Sequence, residues 1–202
     1  MSAKDQVIRS IEQQAWIDQV ADPLQAGVRA VLEKSPAVAN VLHGQFLGHP
    51  LHAALVSVPL GAWTVALGLD VAEATTGTRR FRGAADLLTG IGVGTALTAA
   101  VAGLADWSLT QGPTKRVGFV HAALNTLIAG TYGLSLYARA RRHRGAGIAL
   151  AATGYGALVF SAWLGGELAY RFGVGVSLRP EAPPPPTPDV RPAERVGVSA
   201  GG

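Results

Sequence analysis

The chain has 202 residues, is 49% hydrophobic and carries only 15% charged residues, well below the roughly 25% of soluble domains. It has no cysteine, which excludes disulfides, thiolate metal sites, a cysteine nucleophile and iron–sulfur clusters held by the protein. The formal charge of +4 would raise nucleic acid as a partner in a soluble protein. Here the arginines cluster in short connections, so they read as membrane-orientation signals and no nucleic-acid role is expected.

Residues 1–20 contain no apolar core followed by a small-residue cleavage site, so no signal peptide is expected. Val7, Ile11 and the apolar group Trp16, Ile17 and Val20 follow helical spacing instead. Asp22-Pro23 reads as the N-cap and first-turn proline of a second amphipathic helix, which Ser35-Pro36 ends. The first of these helices is acidic as well as basic. We therefore expect residues 1–48 to cap a bundle rather than lie on the bilayer surface.

Four apolar runs follow, at 51–69, 87–105, 117–138 and 145–166. Each holds roughly 19–22 residues, enough at ~1.5 Å rise per residue to cross a hydrocarbon core of about 30 Å. Their short connections force antiparallel neighbours. The expected fold is all-α, a four-transmembrane-helix up-down-up-down bundle over residues 49–178 with an amphipathic helical N-terminal extension. Residues 179–202, with Pro183-Pro184-Pro185-Pro186, read as a disordered or polyproline tail. The links after the first and third runs hold Arg79, Arg80, Arg82, Arg139, Arg141, Arg142 and Arg144. The positive-inside rule puts that end in the cytoplasm, so a multi-pass protein of the inner membrane is expected, with both termini on the outer face. Asp70 and Asp86 are expected to pair with Arg79, Arg80 or Arg82.

An up-and-down bundle sorts helix ends into two layers. His49 and His52 open the first run, Asp106 and Trp107 close the second, His121 and Asn125 open the third, and Glu167 closes the fourth. All belong to the outer layer. His52 starts a line through Val56, Pro59 and Trp63, and His121 starts one through Asn125 and Tyr132. Ionisable groups at membrane depth are costly unless buried and paired, which makes them functional candidates.

Three readings stand side by side. In the first, His52 and His121 are axial ligands to haem b between the diagonal helices, with Asn125 beside them and with glycine and alanine on the other two helices leaving room for a flat macrocycle. In the second, His49, His52, His121 and a carboxylate, Asp106 or Glu167, supply ligands to a Zn, Fe or Cu ion. In the third, the polar residues bond one another or nearby carbonyls and only lock helix packing, as in a non-enzymatic membrane scaffold or subunit. His43 is expected to be solvated, and His143 to face lipid headgroups or solvent. No nucleophile-elbow, phosphate-loop or zinc-protease motif is present, so nothing points to an enzyme acting by itself.

The segment His43-Gly44-Gln45-Phe46-Leu47-Gly48-His49-Pro50-Leu51-His52 is followed by Val58-Pro59-Leu60-Gly61-Ala62-Trp63. With Asp106-Trp107, His121 and Asn125, and the Gly165-Gly166-x-Leu168-x-Tyr170 stretch, it resembles the bacterial membrane family called domain of unknown function 2231. The resemblance covers roughly residues 43–178. It implies a four-span protein, and because some members are fused to a Rieske domain it implies electron transfer nearby. Ala53 stands where such proteins repeat a proline, and the absence of cysteine rules out a Rieske module in this chain. The expected partners are therefore the lipid bilayer and a separate redox protein, with a homo-oligomer also admissible.

Overall fold

A computed structural model describes residues 2–176 of the chain; the proline-rich stretch expected at 179–202 lies outside the described residues. The described chain is helical throughout: α1 (Ala3–Glu12), α2 (Trp16–Glu33), α3 (Pro36–Leu42), a 3₁₀ turn (Gln45–Leu47), α4 (Leu51–Leu55), α5 (Ser57–Thr76), α6 (Arg82–Trp107), α7 (Gly112–Ala140) and α8 (Arg144–Tyr170). Four stretches are long and apolar enough to cross a membrane: Leu51–Thr76, Arg82–Trp107, Gly112–Ala140 and Arg144–Tyr170. In the first of these the chain breaks between α4 and α5 around Val56. Pro59 has no N–H to give the Leu55 carbonyl, so one rung of the helix ladder is missing there.

The four spans pack in a ring, α5 on α6, α6 on α7, α7 on α8 and α8 on α5, which is the up-down-up-down bundle. Large apolar residues such as Leu87, Leu97, Leu127 and Val159 face outward and are more than half exposed. In water that surface would be a liability; in a bilayer it is the surface that meets lipid. The interior is built from small residues that let large ones reach the axis. Trp63 stacks on Tyr132 across the diagonal, with centroids 3.9 Å apart and planes 3° from parallel. The indole lies over Gly92, where a Cβ would fall 2.2 Å from Trp63 Nε1. That N–H donates to the Thr89 carbonyl at 3.2 Å.

The loops are shorter than expected because the helices run on past their apolar stretches. Asp70 and Glu73 remain in α5 and Asp86 in α6, although their charges suggested connections at 70–86 and 139–144. Cross-helix ion pairs compensate them inside the bundle, so the backbone has no reason to leave the helix.

The N-terminal helices cap the histidine end of the bundle, α1 against α7 and α2 against α6 and α7. The boundary expected at Asp22-Pro23 is not there. α2 begins at Trp16 and carries Pro23 inside it. The Asp22 carboxylate does not cap; it accepts from Lys115 Nζ of α7. Asp18 receives Arg116 Nη2 at 2.6 Å, and Arg116 also reaches the Glu12 carbonyl at 2.5 Å. Buried Gln25 donates to the Trp107 carbonyl at 2.7 Å. Lys115 and Arg116, legible in sequence only as topology signals, are thus the clamp on the cap.

The Arg116 hydrogen bonds pull the Asp18 carboxyl from 3.8 down to about 2. A carboxyl depressed on folding stabilises the docked state above its unfolded value, and that contribution fades as pH falls through the folded value. The cap is therefore expected to loosen between about pH 4 and about pH 2. Hydrogen exchange across residues 16–33 should rise over that window, and Asp18→Asn should remove this acid step while loosening the cap at neutral pH.

Candidate histidine layer at the capped end

The turn that carries the histidines is made by two glycines in the left-handed region, Gly44 at φ 73° and Gly48 at φ 74°, on either side of the 3₁₀ turn. It folds the chain back so that buried Pro50 starts α4 and His52 faces α6. His52 Nδ1–H donates to the Ala99 carbonyl at 2.7 Å. Its ring lies on Gly103, where a Cβ would fall 2.7 Å from Nδ1. A carbonyl only accepts, so this bond fixes the tautomer and leaves the lone pair on Nε2.

His121 of α7 is held in the same way from the opposite side. Asn125 Nδ2 donates to the His121 backbone carbonyl at 3.0 Å and to Nε2 at 3.1 Å. Because Nε2 accepts, Nδ1 carries the proton, which it donates to Ser161 Oγ of α8 at 3.2 Å. The ring rests on Gly165, where a Cβ would fall 3.1 Å from Cε1. Both imidazoles are half-buried. Of the lines expected from spacing, 52-56-59-63 and 121-125-132, the inner ends meet in the Trp63–Tyr132 stack, whereas His52 turns to α6, His121 turns to α8 and Val56 is exposed.

Other expected site residues are placed elsewhere. Asp106 is occupied by His43, whose Nδ1 lies 2.9 Å from Oδ1. This corrects the reading of His43 as solvated; its side chain is 18% exposed, and it pins the end of α3 to α6. His49 is exposed on the turn. Glu167 faces Arg171 at 4.0 Å. Among the described residues, no group of three or more His, Asp or Glu side chains is gathered as a metal would need. The room expected beside the small residues is also taken: the imidazoles fill the spaces over Gly103 and Gly165. Any ligand reaching this layer must come on the Nε2 side of the rings.

The sequence does not assign Ser161 or His43 to this layer. Ser161 is one of the small residues of the fourth run, and its register toward His121 depends on how α7 and α8 pack. His43 was hidden by the unusual turn at Gly44.

The opposite end holds a denser ionic cluster. Asp70, fully buried, takes both Nη atoms of Arg139 and also Arg144 Nη2 at 3.3 Å. Asp86 accepts from Arg139 Nη1 and Arg144 Nη1, both at 2.9 Å. The expected pairing with Arg79, Arg80 or Arg82 is therefore corrected. Those arginines are near in sequence, but Arg139 and Arg144 reach Asp70 and Asp86 across the α7–α8 hairpin. Of the three, only Arg82 pairs with a carboxylate among the described residues, and its partner is Glu73.

A family model described as "Predicted membrane protein (DUF2231)" matches residues 48–178, which includes α4 to α8 and both histidines of the layer. No curated protein and no solved structure matches the chain.

Proposed function

Because the chain belongs to the DUF2231 family of predicted membrane proteins, we propose that it is a multi-pass inner-membrane protein that holds haem b between His52 and His121 and serves electron transfer. The observation that carries this reading is the shared tautomer. Each imidazole gives its Nδ1 proton to a fixed acceptor, the Ala99 carbonyl or Ser161 Oγ, and so keeps its lone pair on Nε2. Metal-ligating histidines are oriented in this way, with a second hydrogen bond setting the ring plane and raising ligand basicity. The donor set, two imidazoles in a bundle without cysteine, suits the iron of a b-type haem; the macrocycle would have to displace the Asn125 amide and open its space on the Nε2 side of the rings.

Such a group supplies reversible one-electron chemistry. The chain's own residues supply the rest. Ala99 and Ser161 orient the ligands, and the docked N-terminal helices cover this end from water. Asn125 holds His121 Nε2 until a stronger partner displaces its amide. The arginine-rich end lies in the cytoplasm by the positive-inside rule, which puts the histidine layer at the outer face, within reach of a redox protein partner.

A second reading has its own observation. His121 is satisfied at both nitrogens, and both rings are seated on glycines, as a purely structural lock in a membrane scaffold would be. The absorption spectrum of the full chain, purified from haem-sufficient cells, separates the two. The haem reading expects a Soret band and a low-spin reduced spectrum, lost in His52→Ala and in His121→Ala. Absence of the band, also after reconstitution with haem, leaves the scaffold reading.

A further inference from the structure

We propose that the groove between the end of α5 and the start of α8, at the arginine-rich end, binds the phosphate of an anionic phospholipid. The groove has a volume of about 540 Å³. Gly77, Arg79 and Arg82 form its rim, and Ala74, Ile148 and Ala149 form a wall that continues down the outside of the bundle.

The charges there divide into spent and free. Glu73 lines the groove and would repel a phosphate, but both of its oxygens are engaged. Oε1 accepts from Arg82 Nε at 2.8 Å and Nη2 at 2.5 Å, and Oε2 accepts from Arg144 Nε at 2.5 Å. Arg144 is consumed, since its Nη atoms go to Asp86 and Asp70. Arg82 makes no hydrogen bond through Nη1 among the described residues, and Arg79, which is exposed, pairs with no carboxylate among them. Two guanidinium groups thus face the same opening with donors to give. Arginine suits phosphate because its planar fork presents paired N–H groups.

A free phosphate would use only this rim. A phospholipid uses the wall as well, laying its chains along apolar surface already at membrane depth. The same end carries Tyr137, with Arg141 over its ring at 5.5 Å, and arginine-rich links beside the ends of the spans, as expected at headgroup level. Basic pockets between spans at such ends hold anionic headgroups, at a gain of about fivefold in affinity per arginine.

The test is native mass spectrometry of the full chain in neutral detergent, titrated with dioleoyl phosphatidylglycerol or dioleoyl phosphatidylcholine. Phosphatidylglycerol should bind preferentially, and Arg79→Glu should weaken it by about fivefold or more without changing phosphatidylcholine. Arg79 makes no fold contact with a carboxylate, so this variant should assemble normally. Arg141→Glu, at the same end but outside the groove, should leave the preference intact. Equal binding of the two lipids overturns the proposal, as does equal loss in Arg79→Glu and Arg141→Glu. Displacement of the bound lipid by millimolar inorganic phosphate would identify a free-anion site and overturn it too.

Discussion

Arg139→Met is expected to be the most damaging single substitution in the bundle, costing about 3–5 kcal/mol. Asp70 is fully buried, and Arg139, with a side chain 2% exposed, is its two-pronged partner. The guanidinium also holds Asp86 at 2.9 Å and Ser135 Oγ at 3.1 Å. Space for it exists because residue 147 is glycine, where a Cβ would lie 2.6 Å from Arg139 Cγ. Without Arg139, Asp70 keeps only the 3.3 Å contact to Arg144, and a buried carboxylate is left under-compensated between three helices. Thermal unfolding in detergent should show a large drop in midpoint, or loss of folded material. The double variant Asp70→Leu/Arg139→Met removes both charges and should recover much of the loss, because a buried pair replaced by apolar groups is often close to neutral. A single variant that melts like the parent chain, or a double variant no better than the single, would refute this account.

Gly44→Ala is expected to have the second largest effect, and it is the change that acts on the histidine layer from a distance. Residue 44 sits at φ 73°, where a side chain costs about 1–2 kcal/mol. Space makes it worse. A Cβ there would lie 2.1 Å from the His49 carbonyl oxygen and 2.6 Å from the Leu51 amide nitrogen. Both are backbone atoms of the same turn, with no rotamer to relieve the clash. The turn must open, which detaches His43 from Asp106 and shifts the start of α4, and with it His52. Hydrogen exchange should rise sharply across residues 43–52 while α7 and α8 stay protected. Gly48→Ala is the matched control. Its φ is 74°, yet nothing lies within 4 Å of the added carbon, so only the conformational cost of about 1–2 kcal/mol should appear. Equal effects of the two substitutions would show that the clash at Gly44 is absorbed elsewhere.

Both predictions concern residues whose weight was poorly legible in the sequence. Gly44 stood in a recognisable motif, but nothing local says that its α-carbon touches residues 49 and 51. Asp70 and Asp86 stand out in the sequence, but the arginines nearest to them in the chain are not their partners. The ion pairs to Arg139 and Arg144 let α5 and α6 extend past the apolar stretches. The carboxylates then sit inside the bundle, opposite Arg139 and Arg144, instead of outside it beside Arg79 and Arg80.

What the amino-acid sequence determines by itself is the architecture: four spans, their alternating direction, and the placing of His49, His52 and His121 at one end and of the arginine-rich links at the other. These follow from sums over about 20 neighbouring residues and from connections too short to allow another order. The pairing of polar groups was decided only by the tertiary structure. His43 rather than His52 meets Asp106, Ser161 meets His121, and Lys115 and Arg116 clamp the N-terminal cap. Such pairings depend on helix rotation and on glycine contacts between helices distant in sequence, quantities that no local sum contains.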